Sequence, residues 1–340
     1  MQPTTTIWSD KVSNVAQVGG IETSVLDNGL GRGVRIAWFN TGTGFRFKVV
    51  VDRAMDIADA FFNQYGIAWL SHPGVMAPQP FSNKGADWLR TFGGGLVTTC
   101  GLSHVGGDEE DAFGARGVHD LISNIPAEVV SIIQPDPARG IYTMSMTGII
   151  KQTKIFGPSL ELKRTITATL GVSSIQIQDE IINKGNEAAP HMLLYHCNFG
   201  WPLADEGAQI FCNGEPNKIC PTINEQHNGP GQDVFFIDAK ANMNGDCVCG
   251  IENKKISLAA VLRFPKKQMP WLTNWQHWSK GEYVTGIEPG THPPIGQAKA
   301  RGEGTLIFIA PGETKQYNLS IEIVNNKEAI NNILDQTTIK

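Results

Sequence analysis

A chain of 340 residues with 41% hydrophobic and 18% charged residues can bury a sizeable core, as one large unit or as two. Its formal charge of −5 argues against nucleic acid or an anionic membrane surface as a partner. Fifteen Phe and eight Trp beside 37 Gly and 19 Pro suit a sheet-rich protein with many turns.

Residues 1–6 show neither the basic start nor the apolar stretch of a secretory signal, and no apolar run approaches a membrane span. Short alternating runs follow. Residues 34–39 and 45–51 read as an early hairpin pair around the turn at 40–44. Next, Val51-Asp52-Arg53-Ala54-Met55-Asp56-Ile57 places an Arg between two Asp at the end of an apolar strand. This is either an ion pair closing a turn or an Arg fork, braced by an Asp, offered to substrate hydroxyls or a carboxylate. Residues 92–101 are glycine-rich but have no GxGxxG and no following Lys. They read as strand glycines that admit a close backbone neighbour or ligand, not as a phosphate cradle. The acidic run Asp108-Glu109-Glu110-Asp111 reads as a solvated turn, and His119, just past Gly117 at the end of that loop, is a catalytic candidate.

Residues 160–168 and 174–181 alternate as strands with one buried face. After a turn at 183–186, residues 190–202 form a second, mostly apolar strand interrupted by His196 and Asn198. Extended geometry puts these two on one side and Tyr195, Cys197 and Phe199 on the other. His191 lies an odd number of residues from His196, so a two-histidine metal clip is not expected. An imidazole and an amide on an apolar strand must be paired internally or look into a polar cavity. A core histidine satisfied by a carbonyl is the plain reading of His196 taken alone.

The six cysteines, Cys100, Cys197, Cys212, Cys220, Cys247 and Cys249, form no CxxC pair and no zinc-ribbon spacing, so reduced thiols in a cytoplasmic protein are expected. Trp271, Trp275, Gln276, His277 and Trp278 make an aromatic cluster that suits a carbohydrate cleft or an ordinary core edge. Glu288 interrupts an apolar strand just before the loop Pro289-Gly290-Thr291-His292-Pro293-Pro294. A carboxylate held there is partly desolvated, which raises its pKa and improves it as a general base, unless it is an edge glutamate in solvent. Residues 317–323 alternate again, and Ala329, Ile330, Ile333 and Leu334 form a helical stripe in the tail. With no repeat and no linker-like stretch, residues 1–340 read as one all-β domain, a large antiparallel β-sandwich with very little helix.

The order Arg53, His119, Tyr195-His196-Cys197-Asn198-Phe199-Gly200 and Ile287-Glu288-Pro289-Gly290 resembles the aldose 1-epimerase (galactose mutarotase) family. The segments Asp52 to Ile57, Leu96 to Gly101, Ser123 to Glu128 and Glu288 to Thr291 resemble a divergent branch of it. The sequence departs from the family pattern in three places: Asp120 follows His119 where glycine is usual, Gly200 replaces asparagine, and Pro289-Gly290 replaces Thr-Gln. The resemblance implies the mutarotase-like supersandwich and interconversion of sugar anomers. It implies Glu288 as base at the C1 hydroxyl, His196 as acid at the ring oxygen, and His119 stabilising developing charge. Arg53, Asn198, Gln276, Trp275 and Asp56 would position the sugar. The expected partner is a small-molecule sugar, neither nucleic acid nor membrane, and a homodimer is compatible with the sequence. No cofactor and no metal are required. Two alternatives keep the cleft: a non-catalytic carbohydrate-binding or sensing protein, and a lyase-like sugar-processing enzyme. The sequence leaves the sugar open among hexose, pentose, deoxy sugar and uronic acid.

Overall fold

The computed structural model of the protein describes residues 11–81, 83–213, 215–224 and 233–337. Its first sheet is an antiparallel meander of β1 (Gly20–Val25), β2 (Arg35–Asn40), β3 (Phe45–Val50), β4 (Asp56–Phe62) and β5 (Tyr65–Gly66), in that order. The expected early hairpin is its centre, with Phe39 opposite Phe47 and their buried rings stacked 4.7 Å apart.

The remaining strands are β6 (Thr98–Leu102), β7 (Glu109–Asp111), β8 (Gly114–Arg116), β9 (Glu128–Ile133), β10 (Thr143–Thr153), β11 (Ser159–Thr169), β12 (Ser174–Asn183), β13 (Ala189–His196) and β14 (Asn198–Phe199). They continue as β15 (Gln209–Cys212), β16 (Lys218–Ile219), β17 (Asp233–Ile237), β18 (Asp246–Asn253), β19 (Leu258–Pro265), β20 (Trp271–Ser279), β21 (Glu282–Gly290), β22 (Ile307–Ile309) and β23 (Thr314–Val324). A nine-stranded sheet runs β16-β15-β18-β19-β23-β12-β11-β10-β9. A seven-stranded sheet runs β17-β20-β21-β13-β22, with β14 on β21 and β6 on β13. The pairings are antiparallel, so the chain is the all-β sandwich its alternation implies.

Period-two patterning builds the core. On β11 the even positions from Leu160 to Ala168 are buried, and on β12 the odd positions Ile175, Ile177, Asp179 and Ile181. One apolar cluster joins Phe47, Ile166, Leu193 and Ile287, drawn from all three large sheets. Each such side chain contributes about 1.5–3 kcal/mol when removed from water. The helices are α1 (Trp88–Thr91), α2 (Gln297–Gly302) and α3 (Lys327–Thr337). The apolar stripe of α3 packs on the nine-stranded sheet at Phe211, Val248, Val261 and Val324, as its spacing implies. Among the described residues no helix is long and apolar enough to cross a membrane.

The acidic run is more than a solvated turn. It forms the β7–β8 hairpin, in which Arg116 donates to Glu109 at 2.7 Å and pairs with Asp111 at 2.6 Å. Glu109 also accepts from the Ala298 amide, which ties this loop to α2.

Candidate functional site

Strand β13 has two working faces. His191, Leu193 and Tyr195 turn towards the sandwich core, while Met192 and Leu194 pack with Trp88 and Cys100. His191 is a satisfied core histidine, with Nδ1 2.9 Å from the Leu102 carbonyl oxygen and Nε2 2.8 Å from the Tyr317 hydroxyl. His196 ends the second face and enters a cleft of about 680 Å³.

The floor of that cleft is the seven-stranded sheet. The odd residues of β20, Thr273, Trp275 and His277, point into it, flanked by Phe236 and Val234 of β17 and by Glu288 of β21. Antiparallel register sets Thr273 opposite Glu288 and Trp275 opposite Gly286. Walls come from Trp69, Trp88 and Phe92, and from the loop that carries His119. Trp88 stacks on Phe92 at 4.3 Å, and the His196 ring lies 5.0 Å from Phe92 and 5.4 Å from Trp275.

Glu288 Oε1 lies 3.3 Å from His196 Nε2, and their side chains are only 3% and 8% exposed. The two atoms are close without the alignment of a full hydrogen bond. Glu288 Oε1 and His196 Nδ1 have no hydrogen-bond partner in the protein. Burial among aromatic rings therefore pushes the Glu288 carboxyl well above its usual 4.5. The same burial lowers His196 to about 4, against a smaller opposing pull from the Asn198 side chain. Burial thus works against charge on both members of the pair. Gly286 makes room for it, because a Cβ there would collide with Glu288 Oε1.

His119 adopts left-handed backbone, φ 54°, and so does Asp120, φ 61°. Aspartate tolerates that region where most residues do not, and here it also braces the loop. Its carboxylate accepts from the Ser103 amide and hydroxyl, from Gln152 and from Asn83. Asp120 thus supplies both the conformation that the usual glycine would allow and a set of bonds that glycine lacks. His119 Nδ1 accepts from the Gly106 amide at 3.3 Å, so the neutral ring carries its proton on Nε2. Burial first, then His196 and His104, hold its pKa near about 3. The His119 and His196 rings stand edge to face with centroids 6.1 Å apart.

The structure brings Glu288, His196, His119 and Trp275 together in the cleft and moves four other expected residues out of it. Arg53 donates to the carbonyl oxygens of Ser123 and Thr91, and burial lowers its pKa to about 10. With Asp56 it lines a separate crevice of about 30 Å³, room for a water or two and not for a sugar. Asp56 accepts from Thr99 and Arg164. Asn198 is on the His196 side, as its spacing implies, yet fully buried beneath it, donating to the Gly95 and His196 carbonyls. Gln276 cannot share the cleft with Trp275, because neighbours on a strand face opposite ways. It donates to Asn274 and accepts from Trp278.

Sequence reading missed Trp69, Trp88, Phe92, His72 and Glu282, all of which line the cleft. Gly200 is the one signal for Trp69: a Cβ at 200 would sit 2.8 Å from the Trp69 Cα. Among the described residues no group of three or more His, Cys, Asp and Glu side chains is arranged to hold a metal.

A family described as a domain of unknown function (DUF4432) matches residues 31–323. No curated protein matches the sequence. Among solved structures, a candidate aldose 1-epimerase from Klebsiella pneumoniae superposes with a TM-score of 0.84 at 20% identity, covering 96% of this chain and 88% of that one. A galactose mutarotase-like protein from Clostridium acetobutylicum gives 0.60 at 13%, covering 90% and 98%. A galactose 1-epimerase from Lactobacillus acidophilus gives 0.57 at 9%, covering 90% and 99%. At these identities the likeness is one of fold.

Proposed function

We propose that this chain, which belongs to the DUF4432 family, interconverts the anomers of a sugar by acid–base catalysis at Glu288 and His196. The observation that carries the reading is the isolated pair itself: a carboxyl and an imidazole 3.3 Å apart at the floor of an aromatic-walled cleft. The galactose mutarotase-like fold is consistent with a sugar ligand.

Ring opening needs a proton taken from the C1 hydroxyl and one delivered to the ring oxygen. With the shared proton on His196, Glu288 accepts from the C1 hydroxyl while His196 donates to the ring oxygen. The C1–O5 bond breaks, the C1 carbonyl forms, and the pair is left with its proton on Glu288. That is the protonation state burial favours in the empty cleft. After rotation about C1–C2, Glu288 returns its proton to the carbonyl oxygen as O5 attacks the other face and His196 recovers its own. One turnover thus carries the pair from one tautomer to the other and back, with no net proton exchanged. His119 presents Nε2–H as a neutral donor towards the oxygen on which charge develops. Trp275 and Trp88 offer apolar ring faces to sugar C–H groups.

The test is NMR saturation transfer between α and β anomers across aldoses, ketoses and uronic acids. Enzyme-dependent exchange that Glu288→Gln removes supports the reading. Ligand-induced shifts without exchange replace it with a binding protein.

A further inference from the structure

The reacting pair occupies one end of the cleft, and a second set of polar side chains occupies the other. Along β20 the inward positions run Thr273, Trp275, His277, and Thr273 is the one opposite Glu288. Four residues of strand at about 3.3 Å each put His277 roughly 13 Å along β20 from Thr273, with the Trp275 ring between it and His196. There His277 Nε2 is 3.2 Å from Glu282 Oε2, and His72 Nε2 is 3.6 Å from Glu282 Oε1. His277 is almost fully buried, while Glu282 and His72 are progressively more exposed, so this group marks the mouth of the cleft. Between the two ends Trp275 meets Trp69 edge to face at 5.9 Å, and opposite Trp275 stands Gly286, which has no side chain.

Charge narrows the ligand further. Among the described residues the cleft is lined by indoles, imidazoles and two carboxyl groups, with neither Lys nor Arg. Burial holds His119 and His196 neutral, and Glu282 faces His277 and His72. A uronate, phosphate or sulfate on the sugar would be buried beside carboxyl groups with no Lys or Arg to pair it.

We infer that the cleft binds an uncharged sugar of at least two rings, with its reducing end at Glu288 and His196 and its next ring beyond Trp275, against His277 and Glu282. This rests on the proposed anomer exchange. A single ring at the reacting end does not reach His277 and Glu282. A second ring places hydroxyls where the Glu282 carboxylate accepts and the His277 imidazole donates, and lays a C–H face along the indoles.

The experiment compares anomer exchange by NMR for maltose, cellobiose, lactose and melibiose with glucose, galactose, glucuronate and glucose 6-phosphate. At least one disaccharide is expected to exceed its reducing-end monosaccharide in kcat/KM by about tenfold or more, with both anionic sugars below glucose by a similar factor. His277→Ala and Glu282→Gln should each lower the disaccharide value about tenfold more than the monosaccharide value. Equal kcat/KM for one and two rings, turnover of the anionic sugars at the rate of glucose, or equal losses in the variants would overturn the inference. Exchange on monosaccharides with those outcomes leaves the proposed function standing. No exchange on any sugar defeats that function instead. Calorimetric titration with the four disaccharides then decides the subsite: binding weakened by His277→Ala upholds it, and no binding rejects it.

Discussion

Tyr195 and His196 are neighbours on one strand, both buried, and face opposite ways into two different kinds of polar interior. On the Tyr195 side every charge is answered. Arg164 donates to both oxygens of Asp179 at 2.9 and 2.6 Å, to Asp56 at 3.1 Å and to the Ala54 carbonyl. The Tyr195 hydroxyl donates to Asp179 at 2.7 Å, and Asp56 takes the Thr99 amide and hydroxyl. Burial alone would lower the Arg164 pKa, but Asp179 and then Asp56 outweigh it and raise it. On the His196 side a carboxyl and an imidazole have little but each other, and burial works against the charge on both. Buried polar groups thus serve two ends here. Where partners are complete they lock three sheets together, and where they are short the pair faces the open cleft.

The comparison is broken hardest by Arg164→Leu. It leaves Asp179 and Asp56 buried without their cation and should destabilise the protein by about 3–5 kcal/mol in chemical denaturation. A loss under about 1 kcal/mol would mean the two faces are not so different.

Glu288→Gln should do the reverse, lowering anomer exchange by roughly 10²–10⁴-fold without unfolding anything. Its effect on stability has a definite sign. The Glu288 carboxyl is raised in the folded state, so its contribution is complete below the ordinary 4.5 and is lost as pH rises towards the folded value. The amide escapes that loss, so the variant should melt higher than wild type at pH 8 and show no such advantage below pH 4.5.

Gly286→Ala comes next. A methyl at 286 pushes Glu288 Oε1 off its seat and should lower kcat by about 10–100-fold with KM little changed. Unaltered kcat would show that the carboxyl tolerates displacement. Smallest is Gln276→Leu, on the far side of β20 from the cleft, which should leave kcat and KM within about twofold while costing about 1 kcal/mol of stability.

Much of this architecture is legible in alternation alone. The β2–β3 hairpin, β11, β12, β23 and the stripe of α3 all follow from apolar spacing, because a half-buried strand or helix declares which face is dry. His196 and Glu288 stand out because each interrupts an apolar strand. Arg164 and Asp179 do the same on the buried faces of β11 and β12, and there the interruption is structural. Spacing cannot separate the two cases, because what distinguishes them is the count of partners brought from distant sheets. Arg53 and Asp56 fall on the structural side for that reason. The aromatic walls are illegible for another: Trp69, Trp88 and Phe92 lie in a stretch with little regular structure, where no period marks a face.

The most direct measurement is the pH profile of anomer exchange in wild type and Glu288→Gln. A pair that works with one shared proton predicts a bell for the wild type. Its acid limb should fall where His196 titrates, near about 4, and its alkaline limb should be set by the raised Glu288 carboxyl. The amide variant should be nearly silent throughout. A wild-type profile flat through the acid range, or a Glu288→Gln variant that exchanges anomers at the wild-type rate, would contradict the assignment of the chemistry to this pair.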